Sequence, residues 1–298
     1  MKKMNVLKNN PTMEGQIKLV QNVIYSKAGG EELPMTLFLP WNLDDNKIVK
    51  EKKPLIVFVQ GSAWTTPDRE FEIPQLSAFA RAGYIVATIE HRSALNGHAF
   101  PAYLQDAKCA IRYLRANADK YGIDIERVAI WGTSSGGNTA LLVGLTGDAP
   151  EFKTEEYNDY SDKVCAVVEC FGPTELISLM QKPEKEEKEP EEEPLISGVE
   201  YIVLGLCGGD MNNYQDVMTR MSPVNYVEKG KEVPPFLLLH GDNDPIVPFE
   251  QMTMLFEKMV ECEYDVEAWQ IEGAEHEGTF WSQKVYDVIG GFLKKHIG

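Results

Sequence analysis

Short apolar runs alternate with longer amphipathic stretches along most of the chain. The apolar runs are rich in β-branched and aliphatic residues and are unbroken by polar ones, a pattern typical of strands that are covered on both faces. The predicted strands are 54–60, 84–90, 127–131, 164–170, 235–240 and 264–271. The predicted helices are 73–82, 103–121, 136–145, 249–262 and 279–295. Strands that alternate with helices in this way predict an α/β fold with a doubly wound, mostly parallel sheet.

The pattern differs at the N-terminus and in one internal segment. Segments 17–25 and 34–40 flank the turn-rich stretch SKAGGEEL, which predicts an antiparallel hairpin at the edge of the sheet. Residues 182–194 (KPEKEEKEPEEEP) hold seven Glu, three Lys and three Pro and cannot bury apolar surface. We therefore predict a single domain over 1–298 with a small cap or loop insertion around 172–221.

Composition and charge indicate which classes of partner the chain can bind, but they do not indicate a reaction. The 298-residue chain carries a formal net charge of −17, which repels phosphate backbones and anionic membranes. The first residues, MKKMNVLKNNPTMEG, lack the apolar stretch of a signal peptide, and no apolar run approaches the ~20 residues of a membrane span. The five scattered cysteines favour free thiols in a reducing compartment. We expect a cytoplasmic protein that binds neither nucleic acid nor membrane.

The most informative motif is Gly-Thr-Ser-Ser-Gly at 132–136, which lies between a predicted buried strand and a predicted helix. Glycines two positions before and after a serine permit the tight strand-to-helix turn that exposes a nucleophile. Ser134 occupies the central position and is the predicted nucleophile, because Ser135 would lack the preceding glycine. The backbone N–H of Ser135, at the start of the helix, is a predicted oxyanion donor.

An acid and a base follow in the chain order that this fold class uses. Asp242 and Asp244 both lie in the loop after strand 235–240, where open α/β sheets place their ligands. Only His276 and His296 lie beyond them, and His276 stands in a polar loop between the last strand and the last helix. We predict His276 as the base; His296, two residues from the end of the printed sequence, is interpreted as a solvated helix end.

The loop after strand 54–60 reads Gln-Gly-Ser-Ala-Trp and is the candidate for the remaining oxyanion donor. The backbone N–H of Ser62 is the predicted donor, because a backbone donor depends little on its own side chain. Trp64 and Gln60 are candidate substrate contacts, since an indole ring can stack on sugars or aromatic acyl groups. The alternatives are that this loop is a plain turn and that Trp64 only packs beneath it.

These motifs resemble those of the α/β-hydrolase carboxylesterases over residues 17 to 296. FPAYLQDAKCAIRYLRANADKYGIDIERVAIWGTSSGG is similar to a stretch that ends in the family's G-x-S-A-G-G, and FGPTEL at 171–176 is similar to Y-G-P-T-D-L. The family pattern H-G-x-x-D-x-x-V-P places the triad acid at Asp244, which leaves Asp242 as a turn-forming residue. The resemblance is to bacterial members near the hormone-sensitive-lipase and kynurenine-formamidase branches, but many esterases have His-Gly-Gly where this chain has Gln-Gly-Ser.

The Gln-Gly-Ser-x-Trp loop is similar to that of gut-bacterial acetyl xylan and feruloyl esterases. The resemblance implies a serine esterase that acts without metal or organic cofactor on short acyl or feruloyl esters of xylan. Its partner would be a small-molecule or oligosaccharide ester, and the sequence does not indicate an oligomeric state. The alternatives are a general short-chain carboxylesterase or lipase-like esterase and an inactive hydrolase-fold binding protein. A peptidase of the prolyl-oligopeptidase type shares the residue order but needs a propeller domain.

Overall fold

The computed structural model describes residues 3–11, 13–41, 51–180 and 198–298, so the acidic tract 182–194 lies outside the described residues. Within those ranges, one sheet of eight strands forms the centre of the molecule. The strands are β1 (Ile17–Ser26), β2 (Leu33–Pro40), β3 (Lys53–Val59), β4 (Ile85–Ile89), β5 (Ile123–Thr133), β6 (Ala166–Cys170), β7 (Phe236–Gly241) and β8 (Val266–Ile271).

The strand order is β1-β2-β4-β3-β5-β6-β7-β8. Strand β2 pairs antiparallel with both β1 and β4, and every other pairing in the described sheet is parallel. The N-terminal hairpin therefore lies at one edge, as the sequence predicts. Because β3, β5, β6 and β7 run in the same direction, the loops after their carboxyl ends meet along one side of the sheet. These loops carry the predicted chemistry.

Helices cover both faces of the sheet, which confirms the doubly wound architecture. One core joins the sheet to helices α2, α4 and α8, and the other joins the opposite face to α1 and α9. The described helices are α1 (Ile73–Arg81), α2 (Ala102–Ala116), α3 (Ala118–Tyr121), α4 (Ser135–Leu145), α5 (Leu176–Met180), α6 (Gly198–Leu206), α7 (Tyr214–Met221), α8 (Glu250–Glu261) and α9 (Gln283–Ile297).

Two predicted elements differ from the structure. The predicted helix 103–121 is interrupted at Asn117, whose backbone leaves the helical region and divides α2 from α3. The predicted buried strand 264–271 begins only at Val266 and forms the edge strand β8, in which exposed and half-buried residues alternate. The side chain of Trp269 is 44% exposed there. An edge strand has a single neighbour, so its apolar residues need not be covered on both sides.

The segment around 172–221 contributes α5, the described helix α6 and α7, which lie on the side of the sheet that carries α4. Asn138 of α4 donates from Nδ2 to the carbonyl oxygens of Pro173 and Met221, both at 2.9 Å. The side chain of Asn138 accepts a hydrogen bond from the Tyr103 hydroxyl. These bonds fasten both ends of the segment to the helix that follows Ser134. Its role as a cap, and the single-domain division of 1–298, stay predictions.

One ion pair and one cluster of three charged side chains hold α2 in position. Arg92, in the loop after β4, binds Asp106 of α2 through both its side chain and its backbone N–H. Further along the helix, the Asp162 carboxylate receives hydrogen bonds from Lys108 at 2.8 Å and Arg112 at 3.0 Å. All three side chains of this second cluster are fully buried. In this cluster one carboxylate thus faces two cationic groups where solvent does not reach them, and burial lowers the pKa of Lys108.

Replacing Asp162 by alanine should be strongly destabilising, because it leaves Lys108 and Arg112 buried without their counter-charge. Loss of one partner of a buried ion pair costs about 3–5 kcal/mol of unfolding free energy. The matched control is Asp119→Ala, which removes an exposed ion pair with Lys52. Urea denaturation followed by circular dichroism measures both variants. Equal midpoints for the two would contradict the structural role of the buried cluster.

Candidate active site

Ser134 lies at the turn between β5 and α4, in a backbone conformation that disfavours side chains. Its φ is 52° and its ψ is −124°, a region that non-glycine residues rarely adopt. The backbone N–H of Ser134 donates to the carbonyl oxygen of Cys170 at the end of β6, and the Ser134 carbonyl accepts from Asn138 in α4. The strained residue is therefore held from both sides, and this geometry projects the side chain out of the turn.

The two glycines of the motif are required by the close approach of neighbouring backbone. A Cβ at Gly132 would lie 1.9 Å from the carbonyl oxygen of Gly136. A Cβ at Gly136 would lie 2.0 Å from the carbonyl oxygen of Val59, at the end of β3. Both distances are far below van der Waals contact with rigid backbone atoms. The spacing of glycines that the sequence shows is thus the steric condition for bringing β3, β5 and α4 together.

Three side chains predicted from the sequence form one hydrogen-bonded chain. The His276 ring lies with Nδ1 2.7 Å from Asp244 Oδ2 and with Nε2 3.0 Å from Ser134 Oγ. Because an ionised carboxylate only accepts hydrogen bonds, Nδ1 carries the proton and Nε2 is left to accept from the serine hydroxyl. Ser134, His276 and Asp244 come from the loops after β5, β8 and β7. The three residues are far apart in the sequence, and the sheet brings them into contact.

The electrostatics around Asp244 favour its ionised form. Burial raises the pKa of this carboxyl, but hydrogen bonds from His240, His276 and the backbone N–H groups of Val247 and Ile246 lower it well below its usual range. The two backbone donors lie 2.9 and 2.8 Å from Oδ1. Oδ2, on the other side, faces the two histidine rings. A carboxylate fixed in this way can orient His276 and stabilise its protonated form.

His240 is a neighbour of the site, and no role for it was predicted from the sequence. Its fully buried ring lies with Nε2 2.8 Å from the Val247 carbonyl oxygen and 3.4 Å from Asp244 Oδ2. A carbonyl oxygen can only accept, so Nε2 carries a proton that faces both oxygens. The signal was its position directly before the Gly-Asp-Asn-Asp loop, at the end of a buried strand. His240 therefore joins the strand end to the predicted acid.

The competing residues lie elsewhere. Asp242 accepts hydrogen bonds from the backbone N–H of Gly273 and from the side chain of Gln270, both at 2.6 Å. Asp242 thus joins the loops after β7 and β8. A turn-forming residue, as predicted from the sequence, would instead accept a hydrogen bond from the backbone of its own loop. His296 lies in the last turn of α9, where its ring packs against Phe292 with the ring centres 4.5 Å apart. Neither residue contacts the Ser134–His276 pair.

The loop after β3 lies against the serine turn, but its hydrogen bonds differ from expectation. The backbone N–H of Ser62, predicted as an oxyanion donor, donates to Ser135 Oγ at 2.9 Å. The preceding N–H, of Gly61, donates to Thr133 Oγ1, also at 2.9 Å. Ala63 and Trp64 then have φ values of 49° and 57°. Two consecutive non-glycine residues in the left-handed region are uncommon and are typical of functional loops.

The two candidate substrate contacts are engaged by the protein. Trp64 is only 4% exposed and packs within the core, with its ring centre 6.1 Å from that of Tyr103. Gln60 accepts a hydrogen bond through Oε1 from the backbone N–H of Asp68 at 2.7 Å, which closes the loop on itself. Both contacts support the alternative in which these residues shape the loop from within.

Aromatic and acidic groups lie behind the His276 ring. Phe171 meets it edge-on, with the ring centres 4.7 Å apart. Glu277, next in sequence, has a φ of 61°, and its side chain accepts from the Trp281 indole at 2.7 Å. Nearby Glu169 is fully buried and accepts from the backbone N–H of Gly172, and burial raises its pKa to about 7. The contacts of Phe171 with the His276 ring and of Glu277 with Trp281 hold the loop that carries His276, whereas the Glu169 bond holds the turn after β6.

No cluster of metal-ligating side chains occurs within the residues that the structure describes.

A cavity of about 770 Å³ lies between α1 and α9, where the amino ends of β3 and β4 reach the surface. It is lined by residues such as Phe79, Tyr84 and Tyr286. Because Ser134 follows the carboxyl end of β5, the cavity and Ser134 lie at opposite ends of the strands. None of the described helices is long and apolar enough to cross a bilayer.

Proteins of known structure share this architecture. A truncated form of a carbohydrate esterase from gut microbiota is 26% identical, with a TM-score of 0.74 over 96% of this chain and 99% of that chain. A bifunctional GH43-CE protein of Bacteroides eggerthii is also 26% identical, with a TM-score of 0.75 over 97% of this chain and 39% of its own. The shared fold is that of α/β-hydrolase esterases.

Sequence comparisons agree with the structural ones. Esterase LipC of Mycobacterium tuberculosis is 29% identical over 227 residues, which is 76% of this chain and 52% of LipC. The chain spans about half the length of the curated relatives it matches. The model of the BD-FAE family matches residues 43–259, most of the chain and all of its central sheet from β3 to β7. The chain therefore belongs to the BD-FAE family.

Proposed function

We propose that this protein is a serine carboxylic-ester hydrolase that acts through an acyl-enzyme. The observation that carries the proposal is the continuous hydrogen-bonded chain from Ser134 through His276 to Asp244. An inactive hydrolase-fold protein has no need to keep a strained serine, a base in contact with it and an ionised acid behind the base. The esterase relatives in the comparisons support the same reading.

In the proposed reaction, Ser134 attacks the ester carbonyl while His276 Nε2 takes its proton. Asp244 keeps the imidazole in the required tautomer and stabilises the imidazolium that forms. Backbone N–H groups at the start of α4 and in the loop after β3 stabilise the tetrahedral oxyanion, each contributing roughly 3–4 kcal/mol. The alcohol leaves with the proton from His276. Water, deprotonated by the same histidine, then attacks the acyl-enzyme and releases the acid.

We further propose that the substrates are short acyl or feruloyl esters of carbohydrates such as xylan. Two structural relatives at 26% identity are named as a carbohydrate esterase from gut microbiota and as a GH43-CE protein of Bacteroides eggerthii. The Gln-Gly-Ser-Ala-Trp loop supports the same class. We do not expect Trp64 to contact the substrate, because its ring is buried against Tyr103.

A general short-chain carboxylesterase is the second candidate. It is favoured by LipC, a curated relative named only as an esterase. Both candidates use the same three side chains, so they differ in the acyl and alcohol groups that the site accepts and not in the chemistry.

Replacing Ser134 by alanine should abolish ester hydrolysis, because no other hydroxyl contacts His276 Nε2 among the described residues. We expect kcat for p-nitrophenyl acetate to fall by about 10⁶-fold, as for other triad nucleophiles. A fluorophosphonate probe should label the wild type and not the variant. Ser77→Ala, on the exposed face of α1, serves as the control. Labelling of the Ser134→Ala variant would show that the nucleophile is another residue.

The two aspartates of the loop after β7 should separate clearly in a comparison of asparagine variants. Asp244→Asn should lower kcat by roughly 10⁴-fold, because the amide favours the wrong tautomer of His276. Asp242→Asn removes only contacts to Gly273 and Gln270, so we expect kcat within about threefold of the wild type. Steady-state kinetics on one ester measures both. The assignment of the acid is wrong if Asp242→Asn is the more damaging change.

Substrate class is decided by comparing kcat/KM for acetyl, butyryl, octanoyl and feruloyl esters and for acetylated xylan. The carbohydrate-ester proposal predicts activity on acetylated xylan or methyl ferulate and a loss of activity toward octanoyl esters. A long acyl chain needs a continuous apolar tunnel that gains ~0.8 kcal/mol per buried methylene. A steady rise to octanoyl, with the carbohydrate and feruloyl esters untouched, would favour the general esterase instead.

A further inference from the structure

We infer that the hydroxyls of Thr133 and Ser135, on either side of the nucleophile, form a clamp that positions the oxyanion loop. The inference rests on the proposed ester hydrolysis and concerns how the same site is assembled. Thr133 Oγ1 accepts from the N–H of Gly61, and Ser135 Oγ accepts from the N–H of Ser62. Two successive backbone donors of the loop are thus bound by the residues directly before and after Ser134.

The two hydroxyls of the clamp belong to buried residues, and the loop that they hold is partly buried. Thr133 is fully buried, and Ser135 is 2% exposed. A backbone N–H that loses its acceptor in such a place is left unsatisfied unless the backbone moves to find another partner. The loop is therefore expected to shift when either hydroxyl is removed. Because each contact joins the loop to a residue adjacent to Ser134, such a shift changes the oxyanion site directly.

The clamp also reassigns the donors of the oxyanion hole. With the N–H of Ser62 bound to Ser135 Oγ, the next N–H along the loop is that of Ala63, for which no acceptor is found among the described residues. Ala63 is exposed and lies in the left-handed region, as does Trp64. The N–H of Ser135, the first residue of α4, also lacks a partner within the helix. The geometry points to Ala63 and Ser135 as the two backbone donors.

Other contacts keep the clamped loop closed. Ser62 Oγ donates to the carbonyl oxygen of Thr65, and Thr65 Oγ1 donates to the carbonyl oxygen of Ser62, at 2.8 and 2.7 Å. The carbonyl oxygen of Trp64 accepts from the N–H of Ala94. The loop is thus rigid within itself, so the two bonds to Thr133 and Ser135 set its position as a unit relative to Ser134. Thr133 and Ser135 act, through their side chains, as positioning residues.

The test uses Ser135→Ala and the isosteric Thr133→Val, with Ser26→Ala as a matched control. Ser26 is also buried but bonds Glu156 beside the N-terminal hairpin. Each clamp variant should lower kcat by roughly 10-fold with KM changed less than threefold, because a small displacement of an oxyanion donor acts on the transition state. The affinity for a trifluoromethyl ketone, which forms a tetrahedral adduct on the serine, should fall by the same factor.

Amide hydrogen exchange supplies a readout that is independent of activity. Peptides covering 60–65 should exchange faster in both clamp variants than in the wild type. Their exchange rate should be unchanged in Ser26→Ala. Unaltered exchange, or a variant whose KM rises while kcat and ketone affinity stay as in the wild type, would overturn the clamp. An inactive wild type whose loop exchange still responds to Ser135→Ala and Thr133→Val would instead remove the proposed function and leave the clamp intact.

Discussion

The site depends on the close approach of backbone around Gly132 and Gly136. Their α-carbons lie so near other backbone carbonyl oxygens that any side chain would separate β5, α4 and the end of β3. This contact forces Ser134 into its strained conformation, and the strain is balanced by hydrogen bonds to Cys170 and Asn138. The packing of β3, β5 and α4 against one another offsets the unfavourable backbone conformation of Ser134. Since α4 begins immediately after the serine, the same contact places the free N–H groups of its first turn beside Ser134.

Charge at the site is controlled by burial together with directed donors. Asp244 is shielded from solvent, which by itself would favour the protonated carboxyl, yet two histidine rings and two backbone N–H groups converge on it and keep it ionised. Glu169, on the neighbouring strand β6, receives a backbone donor from Gly172, and its pKa is raised to about 7. The pKa values of two buried carboxyls near the ends of adjacent strands therefore shift in opposite directions, because the two carboxyls differ in the number of donors that reach them.

The sequence predicted the fold and which three side chains would meet at the strand ends, because both depend on patterns with strong steric or topological meaning. Apolar runs gave the strands to within a few residues, and Ser134, Asp244 and His276 followed from chain order and strand ends. It did not predict that Asn117 ends a helix or that β8 lies at an edge, and it left open whether Trp64 contacts a substrate or packs beneath the loop. These features depend on which elements pack beside each residue. The role of His240 was missed for the same reason, because its partners Val247 and Asp244 are brought to it only by the loop.

The oxyanion loop shows most clearly where sequence reasoning reaches its limit. A backbone donor has no side-chain signature, so the choice among Ser62, Ala63 and Trp64 cannot be read from residue types. What decides it is competition for each N–H, and here the competitors are the hydroxyls of Thr133 and Ser135. A family pattern with alanine after the nucleophile has no such hydroxyl. In this chain, the residue that follows the nucleophile therefore changes which amide of a distant loop remains available to the substrate.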